Sequence, residues 1–295
     1  MQNRREHEQE MRSFLQKHMS THDVTVSLPA GSGMETYVVR AGEQAYFVKV
    51  GADVERYLIM AEIGLTPPVL AFGKLERGSS IIVQRLINAR MPSKRDYQDQ
   101  FEKVAQRIHT MHNHPRLRMM LPAPLSSLHR DAGMQVLTQL RHRWERYKAE
   151  VPSVADFVDS SLEHLAGQIS QFSTAGLVVS HNDICNANWL FDSDGNIYLV
   201  DFDSMSLDDP ALDLGALLWW YYPPELRAQF LDIAGYTYDD EFKFRMQVRM
   251  SMHCLHITLP REQSFDRFDP LHYEERLEDF KASLAGKENP QGYDG

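Results

Sequence analysis

The sequence predicts an α+β chain in two parts: a small antiparallel sheet with one inserted helix, then a larger, mainly helical part. Three observations carry this. Between residues 24 and 87, five short runs follow period two, and a single run of helical period interrupts them. From Phe101 onward, apolar residues recur at three- and four-residue spacing, as on one face of a helix. Within that helical part, residues 180–201 change to two aromatic and β-branched runs around a turn, the pattern of a β-hairpin.

At the N-terminus, Met11, Phe14, Leu15 and Met19 share a face at helical spacing, so a leading helix that packs on something is expected. Strands follow at 24–28, 37–40, 46–50, 69–72 and 81–84. The inserted helix spans 52–65, with Val54, Tyr57, Leu58, Ala61 and Leu65 as its core stripe. Lys49 shares a face of its strand with Phe47, so its side chain either snorkels to water or reaches a buried anion. Glu55 and Glu62 lie seven apart on one stripe of the next helix. Both are candidate partners for Lys49, and periodicity does not choose between them. Gly31, Ser32 and Gly33 sit in the first hairpin loop. They serve either as turn residues of positive φ or as a place where backbone N–H groups approach phosphate.

In the second part, Val104, Ala105, Ile108 and Met111 continue the face begun by Phe101. His109, His112 and His114 follow closely on one another, but no cysteine or third ligand is placed to complete a metal site. Residues 115–130 carry three prolines and no period, and are expected as a loop. Helices are expected at 136–147, at 161–172 with Leu162, Leu165, Ala166 and Ile169 inward, and at 225–234 with Leu226, Phe230 and Ile233 inward and Gly235 as the stop. Residues 236–241 are acidic and aromatic, suited either to an amine pocket or to a helix start. Residues 285–295 read as a disordered tail.

Folding 189–191 onto 197–200 around the turn 192–196 brings Asn188 across from Asp201. Two oxygen-bearing side chains then share one hairpin end, where Mg²⁺ could bridge them. Asp183 lies five residues before Asn188. A carboxylate beside a cation-held phosphate suffices for phosphoryl transfer, because that chemistry asks mainly for positioning and charge neutralisation. His181, two residues before Asp183, reads as an imidazole that holds the loop by hydrogen bonds.

The pattern H-x-D-x-x-x-x-N (His181, Asp183, Asn188), the strand end Asp201-Phe202-Asp203, and D-P-A-x-D-L (Asp209 to Leu214) together resemble the aminoglycoside phosphotransferase and choline kinase family of small-molecule kinases. The resemblance is strongest over residues 176–216 and more diffuse over 24–112. It implies a bilobal, protein-kinase-like fold, with a nucleotide-binding N-lobe at 1–87 and a helical C-lobe at 88–284. It also implies that Lys49 grips the α- and β-phosphates of ATP or GTP, with the Gly31–Ser32–Gly33 loop above them and hinge residues 84–87 at the adenine edge. The position of the family's glutamate favours Glu55. By the same resemblance Asp183 is the catalytic residue, Asn188 and Asp201 hold Mg²⁺, Asp203 joins them or caps the loop, and Asp213 braces the catalytic loop from inside. The expected substrate is a small cation, an aminoglycoside or other antibiotic ahead of a choline-type metabolite; a catalytically dead nucleotide-binding protein is the alternative from another class. A protein kinase is disfavoured: the loop lacks the Arg of H-R-D, Asp203 stands where D-F-G has glycine, and no A-P-E segment follows.

Bulk properties agree. A chain of 295 residues holds one large or two modest domains. Its formal charge of -10 argues against nucleic acid and mildly for a cationic substrate. Cys185 and Cys254 form no disulfide framework or zinc pattern, and a reducing cytoplasm is expected. Residues 1–11 are too charged for a signal peptide, and the longest apolar run, 216–222, is too short for a membrane span. A monomer or homodimer, with no membrane partner, is expected.

Overall fold

The leading helix α1 (Gln2–Met19) buries Met11, Phe14 and Leu15 against a five-stranded sheet. That sheet contains β1 (Val24–Ser27), β2 (Thr36–Ala41), β3 (Gln44–Val50), β4 (Val69–Lys74) and β5 (Ser80–Arg85). Its order is β1-β2-β3-β5-β4, antiparallel throughout, so β3 is its central strand. Alternation does the rest: Tyr37 and Val39 of β2, Tyr46 and Val48 of β3, and Ile81 and Val83 of β5 face the core that α1 covers. The computed structural model describes residues 2–19, 24–27, 36–259 and 270–294. They form two units, residues 1–91 with 187–203 and residues 92–186 with 204–295.

Between β3 and β4 runs α2 (Val54–Glu62), started by the Asp53 side chain, which accepts from the Arg56 amide. Tyr57, Ile59 and Met60 are its buried residues, so the stripe is rotated from the expected Val54, Leu58 and Ala61. After β5, a two-residue strand β6 (Ala89–Arg90) closes the first run of this unit.

The second unit opens with α3 (Lys94–Asp99), α4 (Phe101–His112), α5 (Pro115–Met120), α6 (His129–Tyr147) and α7 (Ala155–Ile169), then β7 (Val178–Ser180). The short helix α5 corrects the expected loop. Pro115 occupies its first turn, where a missing N–H costs nothing, and the His114 ring accepts from the Leu117 amide. α6 starts seven residues ahead of the expected 136, at His129, which is buried.

The chain then returns to the first unit with the hairpin β8 (Trp189–Asp192) and β9 (Ile197–Leu199), which pairs through β8 with β6. This pairing gives residues 187–203 to the first unit, against the expected division at residue 87. Asp192 sets the turn: its carboxylate accepts from the amides of Asp194 at 2.9 Å and Asn196 at 2.8 Å.

The second unit resumes with β10 (Ser206–Asp208), antiparallel to β7, and with α8 (Pro210–Tyr221), α9 (Pro224–Ala234), α10 (Asp240–Thr258) and α11 (Pro270–Leu284). Every residue of α8 from Pro210 to Trp219 is buried. A helix packed on all sides carries no amphipathic stripe, and the same holds for most of α10. Gly215 makes the α8–α10 approach possible: a Cβ there would lie 2.9 Å from the Met246 carbonyl oxygen. Gly215→Ala gains about 1 kcal/mol of helix propensity. It should nonetheless destabilise by about 1–3 kcal/mol, because the atom it meets belongs to buried backbone and cannot rotate away. Chemical denaturation checks this, and a stabilised variant would refute the close approach.

The C-terminal segment is another correction. Residues 285–294 are held by hydrogen bonds to α3, α8 and α9, and Asn289 is buried. Their polar composition resembles a disordered tail only because their partners, the side chains of Lys94, Gln98, Trp219 and Arg227, are distant in sequence.

Candidate active site

In the first unit the site is built around Lys49. The residue lies in central strand β3, opposite Thr36 of β2 and Ile82 of β5, so both neighbours shield its stem. Its ammonium donates to Asp203 Oδ2 at 2.7 Å and to Asp201 Oδ1 at 3.3 Å. The lysine side chain is only 9% exposed, whereas the carboxylates of Asp201 and Asp203 are 54% and 65% exposed, so they keep faces open to a ligand. Burial alone would depress the Lys49 pKa. Tyr57, whose ring lies 5.8 Å away, and the two carboxylates outweigh this and hold the ammonium charged above its ordinary range. Burial likewise pushes the Tyr57 phenol up to about 12.

The two acids are presented by the hairpin. Trp189 pairs with Leu199, and the Val200 amide donates to the Asn188 carbonyl at 3.0 Å, which continues the ladder one step beyond the strands. Asp201 then turns out of the hairpin with φ of 64°, a left-handed conformation that Asp tolerates better than most residues. Phe202 is fully buried and edge-on to Tyr57, and its carbonyl accepts from Arg56 at 2.6 Å. The phenyl ring thus anchors the segment while the acids on either side reach Lys49. Asn188 is buried at the same hairpin end.

These contacts overturn the expected lysine–glutamate pair. Glu55 is exposed in the first turn of α2, Glu62 is exposed at its end, and the carboxylates at the Lys49 ammonium belong to Asp201 and Asp203. Gly31, Ser32 and Gly33 lie outside the described residues. Gln84, at the expected hinge, is buried and donates to the Thr66 hydroxyl and the Pro67 carbonyl.

In the second unit the loop after β7 is held by Asp213 in the first turn of α8. Its Oδ2 accepts from the His181 amide at 2.7 Å, and its Oδ1 from the Asn182 amide at 3.0 Å. His112 Nε2 lies 3.2 Å from Oδ2, and its Nδ1 lies 2.8 Å from the Tyr236 hydroxyl. A carboxylate only accepts, so Nε2–H donates to Asp213, and in the neutral ring Nδ1 accepts from Tyr236. Burial would raise the Asp213 pKa. The His112 hydrogen bond, the nearby imidazoles and the loop amide reverse this and hold it below the ordinary carboxylate value. Asn182 has φ of 64° and donates to the Ser204 carbonyl and the Ser206 hydroxyl, both at 2.7 Å. The residue before Asp183 is therefore fixed from both sides. His181 is fully buried.

The family model for phosphotransferase enzymes matches residues 21–245 of the chain. The chain belongs to the phosphotransferase enzyme family. Solved structures of similar fold include the choline kinase LicA from Streptococcus pneumoniae, with a TM-score of 0.61 and 17% identity over 95% of this chain and 99% of that one. The GDP complex of aminoglycoside 2'-phosphotransferase-IIIa gives 0.65 and 13% identity over 95% and 98%. The AMP-bound spectinomycin phosphotransferase gives 0.67 and 14% over 94% and 96%. The fold of this phosphotransferase is thus kinase-like, an antiparallel N-terminal sheet and a helical C-terminal part.

Sequence reading misses one layer of this phosphotransferase. Arg249 of α10 donates to Asp208, and Arg245 donates to both oxygens of Asp209, at 3.3 and 3.1 Å, and to Thr174 at 2.6 Å. Asp209 in turn caps α8 through the Ala211 amide at 3.0 Å. Asp208, Asp209, Arg245 and Arg249 are all buried. Burial pushes the Asp208 pKa up, and Arg249 only partly opposes it. The network fixes the start of α8, on which Asp213 sits. The available signal is two arginines four residues apart on a helix otherwise lined by Met246, Met250 and Cys254. The histidines near 112 have distinct duties: His109 bonds the Ala234 carbonyl, His112 serves Asp213, and His114 caps α5. Tyr236 bonds His112 and Asp239 caps α10, so the acidic and aromatic segment supplies a brace and a helix start.

Proposed function

We propose that this phosphotransferase moves the γ-phosphoryl group of ATP or GTP to a hydroxyl of a small cationic molecule, an aminoglycoside or other antibiotic, with a choline-type metabolite as the alternative. The observation that carries the reading is the buried Lys49 ammonium held by two strand-end carboxylates that stay open to solvent. Lys49 binds the nucleotide phosphates as a fixed positive charge. Asn188, Asp201 and Asp203 form an all-oxygen donor set of the kind that fits Mg²⁺, and Asn188 and Asp201 are the residues that would hold it. When bound, that ion supplies charge neutralisation at the phosphates. Asp183 orients the acceptor hydroxyl and takes its proton as the oxygen bonds to the γ-phosphorus and the bond to the β-phosphate oxygen breaks. His181 shapes the loop, and Asp213 holds its amides.

The lean toward a cationic acceptor rests on the net charge of -10, and relatives of both substrate types share the fold. No helix among the described residues is long and apolar enough to cross a membrane.

Mg²⁺-dependent nucleoside diphosphate release over aminoglycosides, other antibiotics, choline, thiamine and sugars, run with ATP and GTP, tests the proposal. Stimulation by one compound identifies the acceptor class. No stimulation by any of them, with nucleotide still bound, would favour a non-catalytic nucleotide-binding protein. Lys49→Ala should raise the nucleotide KM roughly 10- to 100-fold, the worth of one charge-assisted bond to phosphate. An unchanged KM would remove Lys49 from the nucleotide site.

A further inference from the structure

The loop that carries Asp183 is held a second time, from the far end of the chain. The Asn186 amide, three residues after Asp183, donates to the Tyr221 hydroxyl at 3.0 Å. Tyr221 is the last residue of α8, and its ring stacks on Tyr97 of α3 with centroids 4.1 Å apart. The final carbonyls of a helix lack intrahelical partners and need others. Here the C-terminal segment and α3 supply them. Asn289 Nδ2 donates to the Trp220 carbonyl at 3.4 Å, and Gln98 Nε2 donates to the Tyr221 carbonyl at 3.2 Å. The same Gln98 amide donates its second hydrogen to the Tyr293 carbonyl at 2.9 Å, so one side chain ties the end of α8 to the end of the chain.

The segment is fastened at several points. Trp219 Nε1 donates to the Lys287 carbonyl at 3.0 Å, and Lys94 donates to the Gly292 carbonyl at 2.6 Å. Buried Arg227 grips Glu288 with both terminal nitrogens and also donates to the Tyr293 hydroxyl at 2.8 Å. The Arg227 and Tyr293 bonds hold the Glu288 carboxyl below its ordinary range against the opposing effect of burial. Such effort is spent on a segment that adds little apolar core.

We propose that residues 287–293 act as a strap that caps α8 and, through Gln98 and Tyr221, fixes the Asn186 end of the catalytic loop, with Tyr221 as a positioning residue for phosphoryl transfer. Asp213 holds the loop before Asp183 and the strap holds it after. The activity arm of this inference rests on the proposed phosphotransfer. The structural arm does not.

The test compares the full chain, a chain ending at residue 286, Tyr221→Phe, Gln98→Met, and Gln98→Met in the shortened chain. The Asn186 amide donates to the Tyr221 hydroxyl, so its protection against exchange reports that bond. Hydrogen exchange over residues 184–188 should speed by about three- to tenfold in Tyr221→Phe and in the shortened chain, the range for loss of one hydrogen bond. The acceptor-stimulated kcat should fall by a similar factor with nucleotide KM unchanged. Gln98→Met should add little in the shortened chain, because both changes cut one connection. Additive effects, or unchanged exchange in Tyr221→Phe, would overturn the strap; that variant loses one oxygen and keeps the ring stack, so misfolding cannot excuse it. If the full chain phosphorylates nothing while exchange responds as expected, the functional proposal fails and the strap stands.

Discussion

Asp183→Asn is expected to lower turnover by about 10²–10⁴-fold, the span that a positioned proton acceptor contributes. Nucleotide affinity should change by less than about threefold, since Asp183 is assigned to the acceptor alcohol and Lys49 to the phosphates. The substitution keeps shape and removes charge. Because the transition state is loose, with little nucleophile deprotonation needed early, much of the effect comes from a wrongly oriented hydroxyl. The loop itself should remain, as its geometry is set by Asn182 at φ of 64° and by the Asp213 carboxylate that accepts its amides. Steady-state kinetics with the best acceptor, paired with calorimetric nucleotide binding, reads both quantities. Turnover within threefold of the parent would remove Asp183 from the chemistry.

Asp213→Asn should destabilise the fold by about 2–4 kcal/mol, because it weakens the hydrogen bonds that a buried charged acceptor receives and leaves a buried donor facing a donor. The exchange is isosteric, so packing is retained. An amide offers one acceptor oxygen where the carboxylate offers two, and its NH₂ group faces a donor, either the His181 amide or the Asn182 amide. The pH dependence fixes the sign. The folded pKa of Asp213 lies below the ordinary carboxylate value, so the native state releases this proton more readily than the unfolded chain. Its contribution is fully present above the unfolded value of about 3.9 and is lost as pH falls through the folded value. The stability difference between parent and variant should therefore be constant from pH 7 to about 5 and shrink below about 4. Denaturant unfolding at several pH values checks this. A difference that grows on acidification would mean that the carboxyl is protonated in the native state and does not accept from both loop amides as a carboxylate.

What can be read without coordinates is what neighbouring residues decide among themselves. The hairpin over 189–199 forms where the sequence predicts, because turn residues and β-branched runs act over a few positions and Asp192 closes its own loop. The strands of the first sheet declare themselves by alternation, and α1 by its apolar face, for the same reason. The apolar run 214–222, stopped by Pro223 and Pro224, likewise announces α8, whereas α10 is packed on most sides, which erases the periodic signal that would announce it.

The sequence by itself determined the two-part α+β plan, the hairpin with Asn188 and Asp201 at its open end, and the place of Lys49 in the third strand. Only the tertiary structure decided which acids meet Lys49, which arginines neutralise Asp208 and Asp209, and that residues 285–294 bind the end of α8. Each of those pairings joins residues dozens to well over a hundred positions apart, as with Lys49 and Asp203, separated by 154. Local propensity carries no term for such a distance, and a helical glutamate such as Glu55 looks as good a partner as any until the chain has folded.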